Sequence, residues 1–327
     1  MCRAMSAAPA GRYCWAYDPT VSQGLTGLRI AITGVTGQVA APIARALARE
    51  NHVIGLARFS DAAARADLET LGVDCRIVDL CRPDLSDVPS DVDHVLHFAV
   101  TRIGRWDKDL VANGEAVGDL MSHFRDARSF LHCSSTAVYR PNGGQRMKEG
   151  DPLGDHHGSV MPTYSICKIV GETVARFGAR HFGVPTTIAR LNVPYGDDDG
   201  WPLFHLELML GDHPIEVHTD GGRYNPIHHD DILRLVPALL DIAAVAPPVV
   251  NLAGNDVVSI EDWSHHIGGL INREPRFEWT NAAIPSAAID TTLQHKLVGP
   301  CEVGWEDGVR RLVETTHPEL LARTDSR

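Results

Sequence analysis

The sequence predicts an α/β protein, a doubly wound parallel sheet followed by a smaller mixed cap. Three observations predict it. From about Leu28 to Leu191, short β-branched and apolar runs alternate with helical segments, the pattern of parallel strands covered by helices on both faces. The first run leads at once into Thr33-Gly34-Val35-Thr36-Gly37-Gln38-Val39-Ala40, a glycine turn that opens a helix. After Gly196 the alternation stops and fewer, mixed elements follow.

Each element can be justified in order. Leu28-Arg29-Ile30-Ala31-Ile32 reads as a buried strand, and the helix after the turn runs to near Glu50. Between them, Gly34 lets the chain reverse tightly and Gly37 lets backbone approach a pyrophosphate. The N–H groups around Thr36, Gly37, Gln38 and Val39 then meet it at a helix N-terminus, which carries a partial positive charge. The second strand, His52 to Ala57, ends at Arg58. In dinucleotide folds this position meets the adenosine ribose, and an acid there holds the hydroxyls of NAD. Arg58 suits the 2′-phosphate of NADP instead; its plain alternative is a solvated surface arginine. NADP(H) is therefore expected over NAD(H).

The third strand, Asp74 to Val78, delivers Asp79 and Leu80 to the adenine. The fourth, Val92 to Ala99, brings Phe98, Ala99 and Val100 beside the cofactor path. The fifth is Ser129 to Cys133 and the sixth Pro185 to Leu191, where Leu191 and Val193 extend the cofactor wall. The polar loop Arg140 to Met161 is long enough to be functional. Beyond Gly196 the chain offers a helix at Trp201–Leu210, strands at Ile215–Val217 and Val249–Leu252, and helices at His229–Ala244, Ile260–Ile271 and Trp305–Glu314. These divide the chain into an N-terminal extension (1–27), a dinucleotide-binding Rossmann domain (28–196) and a substrate-binding cap (197–327), some of whose segments return to the main sheet. In the extension, Cys14-Trp15-Ala16-Tyr17 is apolar enough to pack on the body.

Bulk properties narrow the classes of function. The 327 residues are 44% hydrophobic and 22% charged, with a formal charge of −12. That charge argues against nucleic acid or an anionic membrane as partner. No apolar run is long enough to span a bilayer. Seven scattered cysteines form no C-x-x-C pair, so neither a disulfide framework nor a zinc site is indicated and a reducing cytoplasm is expected. Seventeen histidines invite a metal reading, yet His228 and His229 point to different faces of a helix start, and Asp230 and Asp231 suit its dipole. His156-His157 and His265-His266 lack further ligands at a recognisable spacing. Asp197-Asp198-Asp199 reads as a solvated loop. No metal is expected.

The chemistry sits at Tyr164-Ser165-Ile166-Cys167-Lys168. A spacing of four puts Tyr164 and Lys168 on one helical face, one turn apart. An ammonium beside a phenol stabilises the phenolate, so the phenol can exchange a proton during carbonyl–alcohol interconversion. Upstream, Ser134-Ser135-Thr136 follows the fifth strand, and a hydroxyl at a strand's C-terminal end faces the ligand crevice of an open α/β sheet. Ser135 suits the substrate oxygen, although such serines often satisfy only their own turn.

Taken together, these motifs resemble the extended short-chain dehydrogenase/reductase family, also called NAD-dependent epimerase/dehydratase. The resemblance spans about Leu28 to Val313 and includes Asp79-Leu80, His97-Phe98-Ala99, Ser134 to Tyr139, Arg190…Tyr195-Gly196, Ile227 to Asp231 and Asn251-Leu252-Ala253-Gly254. It implies catalytic roles for Ser135, Tyr164 and Lys168, with Lys168 also holding the nicotinamide ribose, and a supporting role for Asn113. It also implies a homodimer through the helices near Trp106–Arg125 and Tyr164–His181. The chain departs from the family at Ala40, the third turn position. It departs again where nucleotide-sugar members grip their substrate. Val193 stands where an Asn is usual, with Asn192 one place early, and Tyr224 stands where an Arg is usual, with Arg223 one place early. A one-residue shift in extended chain turns a side chain to the opposite face. The leading expectation is therefore an NAD(P)-dependent oxidoreductase of a small non-nucleotide carbonyl or alcohol. A nucleotide-sugar epimerase or dehydratase with retained NAD is the alternative, and a non-catalytic NADP-binding sensor the second.

Overall fold

The computed structural model describes residues 24–321; Cys14-Trp15-Ala16-Tyr17 lies outside them. Seven strands form one parallel sheet: β1 (Arg29–Thr33), β2 (His52–Ala57), β3 (Asp74–Ile77), β4 (His94–His97), β5 (Ser129–Ser135), β6 (Thr186–Leu191) and β7 (Val249–Leu252), in the spatial order β3-β2-β1-β4-β5-β6-β7. The order reverses between β1 and β4. At such a switch point the connections leave to opposite faces and open a crevice at the strands' carboxyl ends.

Alternation along β1 explains the layering. Ile30 and Ile32 join the core under helices α1 (Ala40–Leu47) and α7 (His229–Asp241), with Ile43, Leu47, Ile232 and Leu239. Ala31 faces the other way. There Val95 and Phe130 pack under α4 (Ala116–His123) and α5 (Tyr164–Phe182), against Val117, Leu120, Ala175 and Ala179. A third core holds the remaining C-terminal elements: α6 (Trp201–Leu210), α8 (Ile260–Ile271) and α10 (Trp305–Thr316) gather Leu206, Trp263 and Leu312 around Ile215 and Tyr224.

Some boundaries differ from the sequence reading for local reasons. Helix α1 stops at Leu47, short of Glu50, because the Asn51 amide donates to the carbonyls of Leu47 and Leu25 and takes the Leu28 N–H. Strand β5 runs past Cys133 because Ser134 and Ser135 pair with Arg190 and Leu191 of β6. The helix expected at Trp106–Arg125 is broken into Trp106–Leu110 (α3), a π turn at Val111–Glu115 and α4. Helix α7 ends at Asp241, and Ala244 exchanges backbone hydrogen bonds with Thr186.

Candidate active site

A cavity of about 500 Å³ opens at the switch point. Its floor is the glycine turn. Gly34 sits at φ +75°, and a Cβ there would come within 2.9 Å of the Ala99 backbone; a Cβ on Gly37 would press on the Gly34 carbonyl at 3.1 Å. Only glycine keeps this floor low enough for backbone to meet a phosphate. Thr33 Oγ1 fixes the turn laterally, accepting from Ala99 N–H at 3.1 Å and meeting His97 Nδ1 at 2.8 Å. Gln38 donates to the Pro194 carbonyl at 3.0 Å across the cavity.

Thr36, Gly37, Gln38 and Val39 line the floor, with Arg58, Asp79 and Leu80 at one end. Phe98, Ala99 and Val100 form one side, Leu191 and Val193 the other. Asp79 accepts the Cys81 N–H on one carboxylate oxygen at 3.0 Å. The floor, the apolar walls and the polar end fit an extended dinucleotide. Arg58 makes no ion pair among the described residues.

Ser135, Tyr164 and Lys168 line the middle of the same cavity. Ser135 Oγ accepts from Ala137 N–H at 3.2 Å, so its O–H proton remains to donate. Lys168 is 6% exposed, and its Nζ donates to the Cys133 carbonyl at 2.8 Å, which anchors it one turn from Tyr164. Tyr164 is the first residue of α5 and half-buried, with no hydrogen bond from its hydroxyl among the described residues. The site thus presents a free phenol, a neighbouring ammonium and a hydroxyl donor around one volume.

Asn113 is not among the residues that line the cavity. Buried in the π turn, it accepts from Thr101 N–H and donates to the carbonyls of Thr101 and Asp109. Asp109, fully buried, accepts from Ile103 N–H, Gly104 N–H and the Thr163 hydroxyl. The two side chains clamp the loop after β4 to the start of α5. Single π turns inside α-helices appear frequently at functional sites.

A buried ion pair lies behind the serines. Arg190 forks onto Glu172, Nε to Oε1 and Nη2 to Oε2, each at 2.8 Å, while Ser134 Oγ donates to Glu172 at 2.7 Å. The guanidinium also lies 4.8 Å over the Tyr139 ring. Burial alone would raise the Glu172 carboxyl, but the Arg190 fork and charge and the Ser134 hydroxyl overcome it and hold the group below its ordinary range. This ties the end of β5 to α5 one turn beyond Lys168.

Sequence reasoning missed Arg102, Trp201 and Ala287 in the cavity lining, and gave His157 and Met161 no role beyond that of the loop Arg140 to Met161. Arg102 and Met161 sit in loops with no motif, and their contact, Nη1 to sulfur at 3.9 Å, joins segments 59 residues apart. At the two positions that depart from the nucleotide-sugar pattern, neither side chain standing one place early is free in the cavity, and Arg223 does not line it. The Tyr224 hydroxyl is spent on the carbonyls of Ile284 and Pro285 at 2.8 and 2.9 Å. Asn192 is spent as well. It donates to Thr136 Oγ1 and the Ala287 carbonyl and accepts from Val193 N–H and Asn225 N–H.

The acidic stretch at Asp197 is not simply solvated, as the sequence reading had it. Asp197 pairs with His228 at 3.1 Å and with Arg311 at 2.8 Å, and Arg311 also binds Asp230. Asp231 accepts the N–H groups of Glu302 and Val303. The density of His and Asp here fastens α10 and the segment preceding it to α7.

Comparison with known proteins agrees with this geometry. A family model described as the NAD dependent epimerase/dehydratase family matches residues 30–253. A relative in Bacillus subtilis (strain 168), the uncharacterized UDP-glucose epimerase YtcB, is 24% identical over 288 residues, covering 78% of this chain and 89% of its own. UDP-glucuronic acid 4-epimerase from Bacillus cereus, in complex with UDP-glucuronic acid and NAD, superposes with a TM-score of 0.75 at 20% identity, over 91% of this chain and 100% of that one. UDP-N-acetylglucosamine 4-epimerase from Methanobrevibacter ruminantium M1, in complex with UDP-N-acetylmuramic acid, gives 0.76 at 18% identity, over 90% and 100%. At such identities the two structures establish a shared fold.

Proposed function

The chain belongs to the NAD dependent epimerase/dehydratase family, and from that premise we propose that it is a nucleotide-sugar epimerase working with retained NAD. Membership supports an enzyme, and the Tyr164 and Lys168 pair in the cavity favours one over a non-catalytic sensor. The observation that carries the proposal is one continuous cavity. The glycine floor lies at one end, Ser135, Tyr164 and Lys168 in the middle, and further volume reaches Trp201 and Tyr224. The relatives add support, each being named for a UDP-sugar epimerase. They favour this reading over the small-molecule reductase that the sequence put first.

When bound, NAD supplies a reversible hydride acceptor for a sugar carbon. The chain supplies the proton chemistry. Tyr164 takes the proton of the reacting hydroxyl as the carbonyl forms, and returns it as the alcohol is restored. The Lys168 charge stabilises the phenolate while it exists, and Ser135 donates to the reacting oxygen. Arg102 makes no ion pair among the described residues and lines the cavity, so we assign it the substrate diphosphate, for which Tyr224 offers no cation.

The test is direct. The purified protein is incubated with UDP-glucose and with UDP-glucuronic acid, and NMR follows the appearance of the C4 epimer without added reductant. The spent Tyr224 and Asn192 side chains favour a second reading, a reductase of a non-nucleotide carbonyl. Unchanged UDP-sugars, with steady NADPH oxidation by carbonyl compounds, would establish that one.

The NAD bound by the Bacillus cereus neighbour does not support the NADP(H) expectation, which rests on Arg58 alone. At the adenosine end Arg58 can fork onto a 2′-phosphate. The Arg58→Ala variant is expected to lose about tenfold or more in NADPH affinity and little in NADH affinity, as read by fluorescence titration. An equal loss for both cofactors refutes the assignment. A homodimer through α4 and α5 also belongs to this proposal. Phe177 on α5 is 56% exposed and stacks on His181, an apolar surface that a second copy would cover. Sedimentation velocity at micromolar concentration should return twice the chain mass.

A further inference from the structure

We propose that His157 is a specificity-determining residue whose Nε2 accepts a hydrogen bond from a substrate hydroxyl beside Tyr164. The proposal rests on the reading that the cavity takes a hydroxylated substrate.

The argument begins outside the cavity. Asp220 accepts from Ser286 N–H and from the Ser286 hydroxyl, at 3.0 and 2.8 Å, which fixes the Ser286 carbonyl. That carbonyl lies 3.0 Å from His156 Nε2. A carbonyl oxygen only accepts, so His156 Nε2 carries a proton. The His156 ring is lowered from its ordinary range by burial above all, so it is neutral near pH 7 and its Nδ1 is bare. His157 Nδ1 lies 3.1 Å from that bare nitrogen and must donate to it. A neutral His157 then has no proton left for Nε2. Burial, and next the neighbouring His156, push His157 down to about 3. The ring therefore stays neutral at working pH and serves as an acceptor, not as an acid.

The position gives that acceptor a use. His157 lines the cavity, with its ring centroid 5.9 Å from that of Tyr164 and the planes 34° apart. Its backbone N–H donates to Ser165 Oγ at 3.0 Å, which ties it to the first turn of α5. Nε2 has no protein partner among the described residues. Ser135 and Lys168 in the same cavity offer donors, so His157 is the complementary acceptor. An acceptor walled in by a bound ligand costs binding energy unless that ligand donates to it, and a sugar hydroxyl donates. The pair of histidines that looked like an incomplete metal site in the sequence is thus a relay that sets one tautomer.

Holoenzyme labelled with ¹⁵N-histidine tests this by long-range proton–nitrogen correlation, with UDP-glucose as the probe. The expected result is a protonated Nδ1 and a bare Nε2 on His157, with the Nε2 resonance moving on saturation. His157→Phe keeps a ring and removes the acceptor. It should raise the UDP-glucose Kd about tenfold and leave the NADH Kd within about twofold. His157→Gln, which restores an acceptor oxygen, should recover most of the loss. Monodeoxy UDP-glucoses read the same contact on the unaltered protein: one of them should bind about tenfold more weakly and leave the Nε2 resonance unmoved. This arm decides if the Phe variant melts early. A protonated Nε2, or unchanged affinity across variants and analogues, overturns the proposal. If UDP-glucose fails to bind the parent protein, the nucleotide-sugar reading falls instead. The alcohol product of whichever carbonyl compound consumes NADPH then becomes the probe, and the same tautomer and affinity criteria decide His157.

Discussion

Tyr164→Phe is expected to lower turnover by about 10²- to 10⁴-fold while leaving NADH affinity nearly unchanged. The Tyr164 hydroxyl makes no hydrogen bond among the described residues, so its removal breaks nothing in the fold. The ring remains to pack beside His157. What disappears is the atom that moves the proton. Lys168 keeps its anchor on the Cys133 carbonyl, so the charge stays in place with no phenolate to stabilise. The measurement pairs steady-state rates with UDP-glucose and a fluorescence titration of NADH. A variant that keeps more than about a tenth of the parent rate would remove Tyr164 from the mechanism.

Glu172→Ala is expected to destabilise the fold by about 3–5 kcal/mol, because it strands a buried guanidinium. The side chains of Glu172 and Arg190 are 0% and 3% exposed and form two charge-assisted hydrogen bonds. Ser134 would lose its acceptor as well. Replacing both partners, as in Glu172→Leu with Arg190→Met, should recover much of the loss, since the buried guanidinium goes with its partner and only Arg176, 31% exposed, loses a contact. Urea unfolding of the two single variants and the double variant reads the difference. A double variant as unstable as the sum of the singles would show that packing, not the stranded charge, sets the cost.

The pair also has a pH signature. Glu172 is held below its ordinary carboxyl range, so its folded-state value lies under its unfolded one. Its contribution is complete above the unfolded value and is lost as pH falls through the lowered one. Glu172→Gln should therefore flatten the acid limb of the stability curve and leave its shape near neutrality unchanged.

Much of this molecule follows from local sequence. The order of strands and helices does, because a parallel sheet buried on both faces demands apolar runs that alternate with amphipathic ones. The glycine turn follows because Gly34 adopts φ +75° where a Cβ would strike Ala99. The one-turn relation of Tyr164 and Lys168 follows from helical spacing alone. The family follows from the joint order of these motifs along the chain.

The rest was decided by tertiary contact. Asn113 spends its side chain on the loop at Thr101 from inside a π turn. No periodicity announces that turn. Whether Asn192 and Tyr224 serve the substrate depends on backbone carbonyls at Ala287, Ile284 and Pro285, more than 55 residues away in sequence. The tautomer of His157 is set by a carbonyl 129 positions distant, relayed through His156. Hydrogen-bond capacity is written in each side chain, but which partner uses it is fixed only when the chain closes. The sequence by itself therefore determined the sheet, the phosphate floor and the Tyr–Lys pair, while packing of the C-terminal elements over the crevice decided the wall the substrate meets.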